Sequence, residues 1–590
     1  MSKREGKTAG TTRREFVGQG LRVAAAASVI GALDGTATAD ARRRRIASAP
    51  SRRQPNVLVI MVDEMRSPVW FPDGRALARL LPNISALERG AVSFQRHFTA
   101  SNDCTPARGT LVTGLYSHQT ACLITGRSEL DPGFPTWGTM LREQGYRTTW
   151  WGKWHLSNAP TLEPWGFSGG TFPSPNGGPG QGLRADPLIS AQFAEWFAAA
   201  AGDGPWCTTV SFVNPHDIVW WWRYTQHFAG ERSAPRTFTT LPDNYETAAE
   251  LVARNKPRLQ RSLQEVADNG FGATPVTGPQ ARDAWCRQRD LYLELQRYVD
   301  FQIGSVLATL ASRPEIERDT VVVFTSDHGE YAGSHGLRGK GGGVYEEGIR
   351  VPLLVRDPRG ELTRAAGTPR TQLTSSVDVA PLLLTIASGS NDWRRDPRYS
   401  ALAGRADLAS ICANPGAAGR PWVAHATDEV ATEFCPERYD ASAPRHVIAV
   451  RTARAKYAIY ADWKAGSFEL MNANQDTELY DYSTASGRLE IDNVAGRRAI
   501  EPALRRLLLE HVLPHELRAP LPTALGVAQA AGRANYTLVS ETVDDQAAAD
   551  IAHRIASEHH GRGTPSPRGT PQPPNWQPEP FPPHRHHSWP

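Results

Sequence analysis

Cysteine is scarce in this chain, with six in 590 residues. That density excludes a small disulfide-stapled scaffold, so each thiol has to be judged by its surroundings. Cys412 and Cys435 are candidates for one pair, which spacing alone does not assign. Long apolar runs are missing as well. The Ala/Val-rich stretch from Val23 to Leu33 is too short to span a bilayer, and nothing later reads as a transmembrane helix. Charge of one sign is also lacking. The net charge is +4, and residues 1–39 carry six basic residues against three acidic ones, which leaves the rest close to neutral. Such a weak field does not argue for a nucleic-acid partner. No internal repeat is visible. What remains, 40% hydrophobic and 21% charged, is ample for a large core and suggests two folded units.

Thr12-Arg13-Arg14-Glu15-Phe16-Val17, the apolar run after it and Ala37-Thr38-Ala39 read as a twin-arginine export signal with a small-residue cleavage site, spanning 1–39. The alternative is a disordered basic N-terminus. Export implies transient contact with the twin-arginine translocase and a periplasmic or secreted protein. No Cys sits at the cleavage site, so no stable membrane anchor is expected. Residues 40–54, with the basic cluster Arg42 to Arg45, read as a solvated linker.

Val57 to Val62 is continuously apolar and rich in branched residues, the pattern of a strand buried on both faces. Tyr146 to Trp151, Trp206 to Phe212 and Thr320 to Thr325 are further strand candidates, and helical stretches lie between them: Pro82 to Arg89 with Gly90 as a left-handed stop, Thr136 to Gln144, and Asp290 to Leu310. This alternation predicts an α/β fold with a large central, mostly parallel mixed sheet flanked by helices, over 55–390. From Gly389 to Arg420 the pattern loosens. His446 to Val450, Lys456 to Tyr460 and Glu478 to Asp481 then predict a short antiparallel sheet, with a helix over Ala499 to His511, in a smaller C-terminal subdomain at 391–525. Residues 526–590 turn Ala-rich and then Pro/His-rich and read as a disordered tail.

Polar residues collect after four of the strands: Asp63-Glu64, Lys153 with His155, Asn214-Pro215-His216-Asp217, and Asp327-His328. Ligands in open α/β sheets bind beyond the carboxyl ends of the strands, so four segments point at one place. Cys104-Thr-Pro-Ala-Arg-Gly-Thr-Leu-Val-Thr-Gly114 reads as an anion site at a helix start. Pro106 suits the first turn, the free N–H groups there favour a tetrahedral anion, and Arg108 adds a guanidinium that can fork two of its oxygens. On these letters alone, a buried structural Cys is the plain alternative.

The Cys104–Gly114 stretch resembles the signature C-x-P-x-R-x-x-x-L-T-G of the sulfatases in the alkaline phosphatase superfamily, with Val112 where Leu is usual. Gly145-Tyr-Arg-Thr-Thr-Trp-Trp-Gly-Lys-Trp-His-Leu156 resembles the second signature of that family, and its alternation puts Lys153 and His155 on one side of an extended segment. Thr325 to Glu330, Ser334 to Lys340 and Tyr345 to Pro352 resemble a later block. The apparent phosphate loop Gly333 to Lys340 has the wrong spacing and no Ser or Thr after the Lys.

The resemblance implies a sulfuric ester hydrolase whose Cys104 is matured to formylglycine by a formylglycine-generating enzyme. It implies a divalent metal held by Asp63, Glu64, Asp327, His328 and residue 104, with Ca2+ favoured by the carboxylates and Mn2+ or Mg2+ as alternatives. Arg108 would hold the nucleophile, Lys153 and Lys340 the sulfate oxygens, His216, alone or with Lys340, would protonate the leaving alcohol, and His155 would take the proton from the second hydroxyl so that sulfate is expelled. Glu64 departs from a usual second Asp, and His328 from a usual Asn. That pattern also suits a phosphonate monoester or phosphodiester hydrolase of the same superfamily, and a non-catalytic binding protein of this fold is the third reading. The substrate expected is a small-molecule or carbohydrate sulfate ester. Trp220-Trp-Trp-Arg-Tyr224 is either an aromatic wall for it or a packed loop.

Overall fold

The strand Asn56–Asp63 is buried at every one of its eight positions. Val57, Val59 and Met61 enter the hydrophobic cluster on one side of the sheet, and Leu58, Ile60 and Val62 enter the cluster on the other. A strand covered on both faces has no position where a polar side chain reaches water, which is why its sequence is apolar without alternation. In the computed structural model, which describes residues 54–68, 74–222, 236–274, 279–363, 365–428, 442–464 and 467–539, this strand lies inside a six-stranded sheet. The expected signal peptide, Arg223, Tyr224, Cys435 and residues 540–590 lie outside the described residues.

In spatial order the sheet runs Val92–Ser93, Leu353–Arg356, Thr320–Ser326, Asn56–Asp63, Trp206–Pro215, Arg147–Gly152. The last four are parallel, and the two outer strands at the other edge are antiparallel. The helices Trp137–Glu143 and Val379–Ser388 contribute to one face, and Gln181–Ala200 with the 33-residue Pro279–Ala311 to the other. The parallel strands therefore finish at one edge, with Asp63, Gly152, Pro215 and Ser326 as their last residues.

Near the C-terminus a second sheet of four antiparallel strands, Trp422–Thr427, His446–Thr452, Ala455–Ala461 and Asp476–Asp481, packs against the helical segment running from Glu501 to Leu517. Its first strand has no counterpart among the expected elements. It follows the irregular region, and its Ala-His-Ala core lacks the branched residues that mark a strand.

Three expectations are corrected. Gly90 closes its helix with φ −99°, so it is not a left-handed stop, whereas Gly114 and Gly389 are. The helix expected at Ala499 to His511 begins at Glu501 and winds on, in a wider π form, to Leu517. The region expected to be a structureless tail starts with a helix over 526–539, in which Ala528 and Tyr536 are buried. Ala-rich composition favours helix, and Gly532 lets this one approach the Thr120 carbonyl so closely that a Cβ would lie 2.4 Å from its oxygen. Cys104, Cys122, Cys207, Cys286 and Cys412 are free, buried thiols.

Candidate active site

The helix Cys104–Thr113 begins directly below the carboxyl edge of the sheet and is buried along its whole length. A surface helix would bury one stripe only, so this one serves the interior. At its start, Cys104 Sγ lies 3.2 Å from His328 Nε2, 3.7 Å from Asp63 Oδ1 and 3.7 Å from Lys153 Nζ. His328 Nε2 is in turn 3.7 Å from Asp63 Oδ1 and 3.8 Å from Asp327 Oδ1. Ligand atoms of Asp63, Cys104, Asp327 and His328 thus all lie within 4.8 Å of one another, and all four residues are buried. Two carboxylates, an imidazole nitrogen and a thiol sulfur form a donor set that fits a divalent cation.

Arg108 braces this group. Its Nη2 donates to Asp63 Oδ2 at 2.8 Å, its Nε lies 2.9 Å from Asp327 Oδ2, and its Nη1 donates to the Lys153 carbonyl at 2.8 Å and to Ser211 Oγ at 3.1 Å. The guanidinium expected to fork an anion instead spans the two carboxylates. Lys153 Nζ adds a second cation 2.8 Å from Asp63 Oδ2. Burial alone would push the Asp63 carboxyl up, but Lys153, and after it His216 and Arg108, hold it well below the usual carboxylate range. Asp327 moves the other way, raised by burial and by the charge of Asp63. Burial and Asp63 also push the Cys104 thiol well up, so as a plain thiol this residue stays protonated and is a poor nucleophile.

Glu64 does not join the four. It has φ +70°, and its side chain turns to Lys340 Nζ at 2.7 Å and His216 Nε2 at 3.9 Å. Burial raises its carboxyl well above the usual range, a shift that Lys340 opposes and Glu330 reinforces. Lys340 is raised too, because Cys104, Glu64, Asp103 and Asp63 together outweigh its burial. The two directions differ in origin: Lys340 faces acidic groups, whereas Glu64 has other carboxylates behind it. His155 and His216 are both lowered well below 6.5, by burial and then by nearby lysines, so both imidazoles are neutral. His155 has φ +57°, so the segment is bent there rather than extended through it, and the Thr105 hydroxyl donates to its carbonyl at 2.9 Å. His216 opens the short helix His216–Trp220 and lies flat against Gly177, where a Cβ would come within 2.5 Å of the ring. Trp220 and Trp222 are buried, and the Trp220 indole donates to the Gly177 carbonyl at 2.8 Å, which favours the packed-loop reading.

Two residues close to this chemistry were given no role by the sequence. Glu330 is fully buried and accepts from the N–H groups of Ala332 at 2.9 Å and Gly339 at 2.8 Å, pinning the turn that presents Lys340. Its place two residues after His328 was the available signal. Asp103, the residue before Cys104, accepts the Cys104 N–H at 2.6 Å.

Residues 55–390 match the family model for sulfatases. The chain belongs to the sulfatase family. Its chemistry is sulfuric ester hydrolysis. This sulfatase is 28% identical over 377 residues to a choline-sulfatase of Rhizobium meliloti (strain 1021), an alignment covering 57% of this chain and 68% of that one. In fold it is similar to the phosphonate monoester hydrolase SpPMH from Silicibacter pomeroyi, with a TM-score of 0.60, 22% identity and coverage of 80% of this chain and 97% of that one. It is likewise similar to BT4656, solved with its substrate D-glucosamine-2-N,6-O-disulfate, with a TM-score of 0.58, 19% identity and coverage of 78% and 98%.

Proposed function

We propose that this sulfatase is exported by the twin-arginine route and cleaves a small-molecule or carbohydrate sulfate ester, using residue 104 as a formylglycine. The observation that carries the proposal is the seat of Cys104, buried beside Asp63, Asp327 and His328 with its thiol held protonated. A thiol in that state is unreactive, whereas an aldehyde at the same place would be hydrated to a diol whose second hydroxyl offers a way to expel sulfate. The leader containing Arg13 and Arg14 supports export.

A divalent cation seated by Asp63, Asp327, His328 and residue 104 would act as a Lewis acid and lower the pKa of a hydroxyl beside it, with Ca2+ favoured over Mn2+ or Mg2+ by the two carboxylates. Arg108 orients both carboxylates, and Lys153 adds a second cation on Asp63. In the first step one hydroxyl of the residue-104 diol gives up its proton to water and attacks sulfur, and the bond from sulfur to the ester oxygen breaks so that the alcohol leaves. The alcohol takes its proton from Lys340, which Glu64 keeps in place with His216 beside it, and Lys340 recovers a proton from water. In the second step neutral His155 takes the proton of the other hydroxyl, the C–O bond to sulfate breaks, and the aldehyde returns. Water then restores the diol.

A second reading, hydrolysis of phosphonate monoesters or phosphodiesters, is favoured by His328 in the metal group and Glu64 outside it. Both readings are tested on protein made with a formylglycine-generating enzyme. The peptide containing residue 104 should have the mass of an aldehyde in place of the thiol, and aryl sulfate should be cleaved faster than aryl phosphodiester. Full activity with an unmodified thiol would overturn the mechanism, and the reverse order of rates would establish the second reading.

A further inference from the structure

Asp103 has φ +74° and ψ 158°, a backbone region reserved almost entirely for glycine. No glycine is there. The residue is almost fully buried, and its side chain is committed: Oδ1 accepts the N–H of Cys104 at 2.6 Å. One residue earlier the same contact repeats, with Asn102 Oδ1 accepting the Asp103 N–H at 2.8 Å. Each of these two side chains thus seizes the N–H of the next residue, and the chain is led into the helix at a single angle.

What holds the strained turn is the first strand of the C-terminal sheet. Ser101 Oγ donates to the Ala426 carbonyl at 2.6 Å, the Ala426 N–H to the Ala100 carbonyl at 3.1 Å, and Thr427 Oγ1 to the Asn102 carbonyl at 3.1 Å. Within the segment, Thr99 Oγ1 donates to the Ser101 carbonyl at 2.7 Å. Three residues in a row before the nucleophile are therefore tied to an element more than 300 positions away. A strained conformation survives only where its surroundings over-determine it, and such residues gather at sites whose geometry matters.

We propose that Asp103 is a positioning residue for the nucleophile: its carboxylate and its glycine-like backbone fix the Cα of residue 104, so that the side chain points between Asp63, His328 and Lys153. This rests on residue 104 being the nucleophile. Asp103 touches no reacting atom in this account; it positions residue 104 through the main chain, and its charge lies near Lys340.

Three variants separate the parts. Asp103→Asn keeps an acceptor oxygen and loses the charge, Asp103→Gly keeps the backbone shape and loses the acceptor, and Asp103→Ala loses both. Misplacing a reacting group by a fraction of an ångström costs on the order of 10- to 100-fold in turnover, so kcat on aryl sulfate should fall by about that factor in the Gly and Ala variants, with KM within about threefold of the parent, while Asn restores kcat to within about fivefold. The Gly variant should melt no lower than the parent, because glycine relieves the strain, and this separates positioning from folding. A Gly variant with parental kcat would overturn the proposal, and so would an Asn variant as slow as Ala. If the parent cleaves neither sulfate nor phosphodiester, the functional reading has failed and the labelling of residue 104 decides. An aminooxy probe on the aldehyde, or iodoacetamide on an unmodified thiol, should react about fivefold or more faster in Gly and Ala than in Asn and parent, as expected for a locally loosened residue. Equal rates in all four proteins would overturn the proposal.

Discussion

Lys340 Nζ lies 2.7 Å from Glu64 Oε2, and Glu64 groups with Asp63 and His216 rather than with Cys104, Asp327 and His328. Two adjacent acidic residues at one strand end therefore face different partners. Asp63 meets the Arg108 guanidinium and Lys153, and Glu64 meets Lys340 and His216.

Glu64→Gln is accordingly expected to bind metal at the parental stoichiometry while losing about tenfold or more in kcat, since it loosens a group engaged in proton transfer. Asp327→Asn should do the opposite to the metal and lose most of it. Metal analysis of the purified variants checks both, and depleted metal in Glu64→Gln would return Glu64 to the coordination sphere.

His155→Ala should stop the cycle after the first step. Loss of a general base costs about 10²- to 10⁴-fold, so sulfated enzyme should accumulate at residue 104 and be visible by intact mass after mixing with substrate. Parental turnover in this variant would remove His155 from the reaction.

Acid should destabilise the fold through its buried histidines. Burial lowers His97 to about 4 and His425 to about 4, whereas both titrate near 6.5 in the unfolded chain. Below about pH 6.5 the unfolded chain takes up protons that the folded one refuses. The stability these residues leave intact above that pH is lost as pH falls toward 4, at up to about 1.4 kcal/mol per pH unit for each site. The melting temperature should therefore drop between pH 7 and pH 5, and by less in His97→Gln. An equal drop in both proteins would clear His97 of any part in it.

Arg420 and Asp378 form a nearly buried pair, with contacts of 2.6 and 2.8 Å to the two carboxylate oxygens. Removing one partner strands the other charge, so Arg420→Leu should cost about 3–5 kcal/mol in denaturant unfolding. Replacing both, with Asp378→Asn in addition, should recover part of that loss. A single variant as stable as the parent would mean that solvent reaches Asp378.

The strand Val57 to Val62 was legible because both its faces are covered, and the clustering of polar residues beyond four strand ends followed from the same sheet. The strand Trp422–Thr427 was not, since its burial is satisfied by small residues and by His425, whose imidazole meets the Thr99 carbonyl at 3.1 Å. Asp103 and Glu64 show a different kind of gap. Their identities were plain, but what each faces depends on a positive φ, and nothing in the order of the letters prescribes a left-handed turn at an acidic residue. The helix over 526–539 was hidden by the Pro/His-rich residues beyond it, which coloured the whole segment.

The central sheet pairs Asn56 with Thr320 and Val62 with Ser326, so the floor of the site is completed by residues made long after the nucleophile. At ribosomal rates of 5–20 residues per second, the stretch from Cys104 to Thr320 takes roughly 10–40 s to appear. Throughout that interval the Cys104 segment lacks the strand that carries Asp327 and His328 beyond its end, and the strand from Trp422 that will clamp its approach does not yet exist. The surroundings of Cys104 thus stay incomplete during synthesis until the later strands arrive.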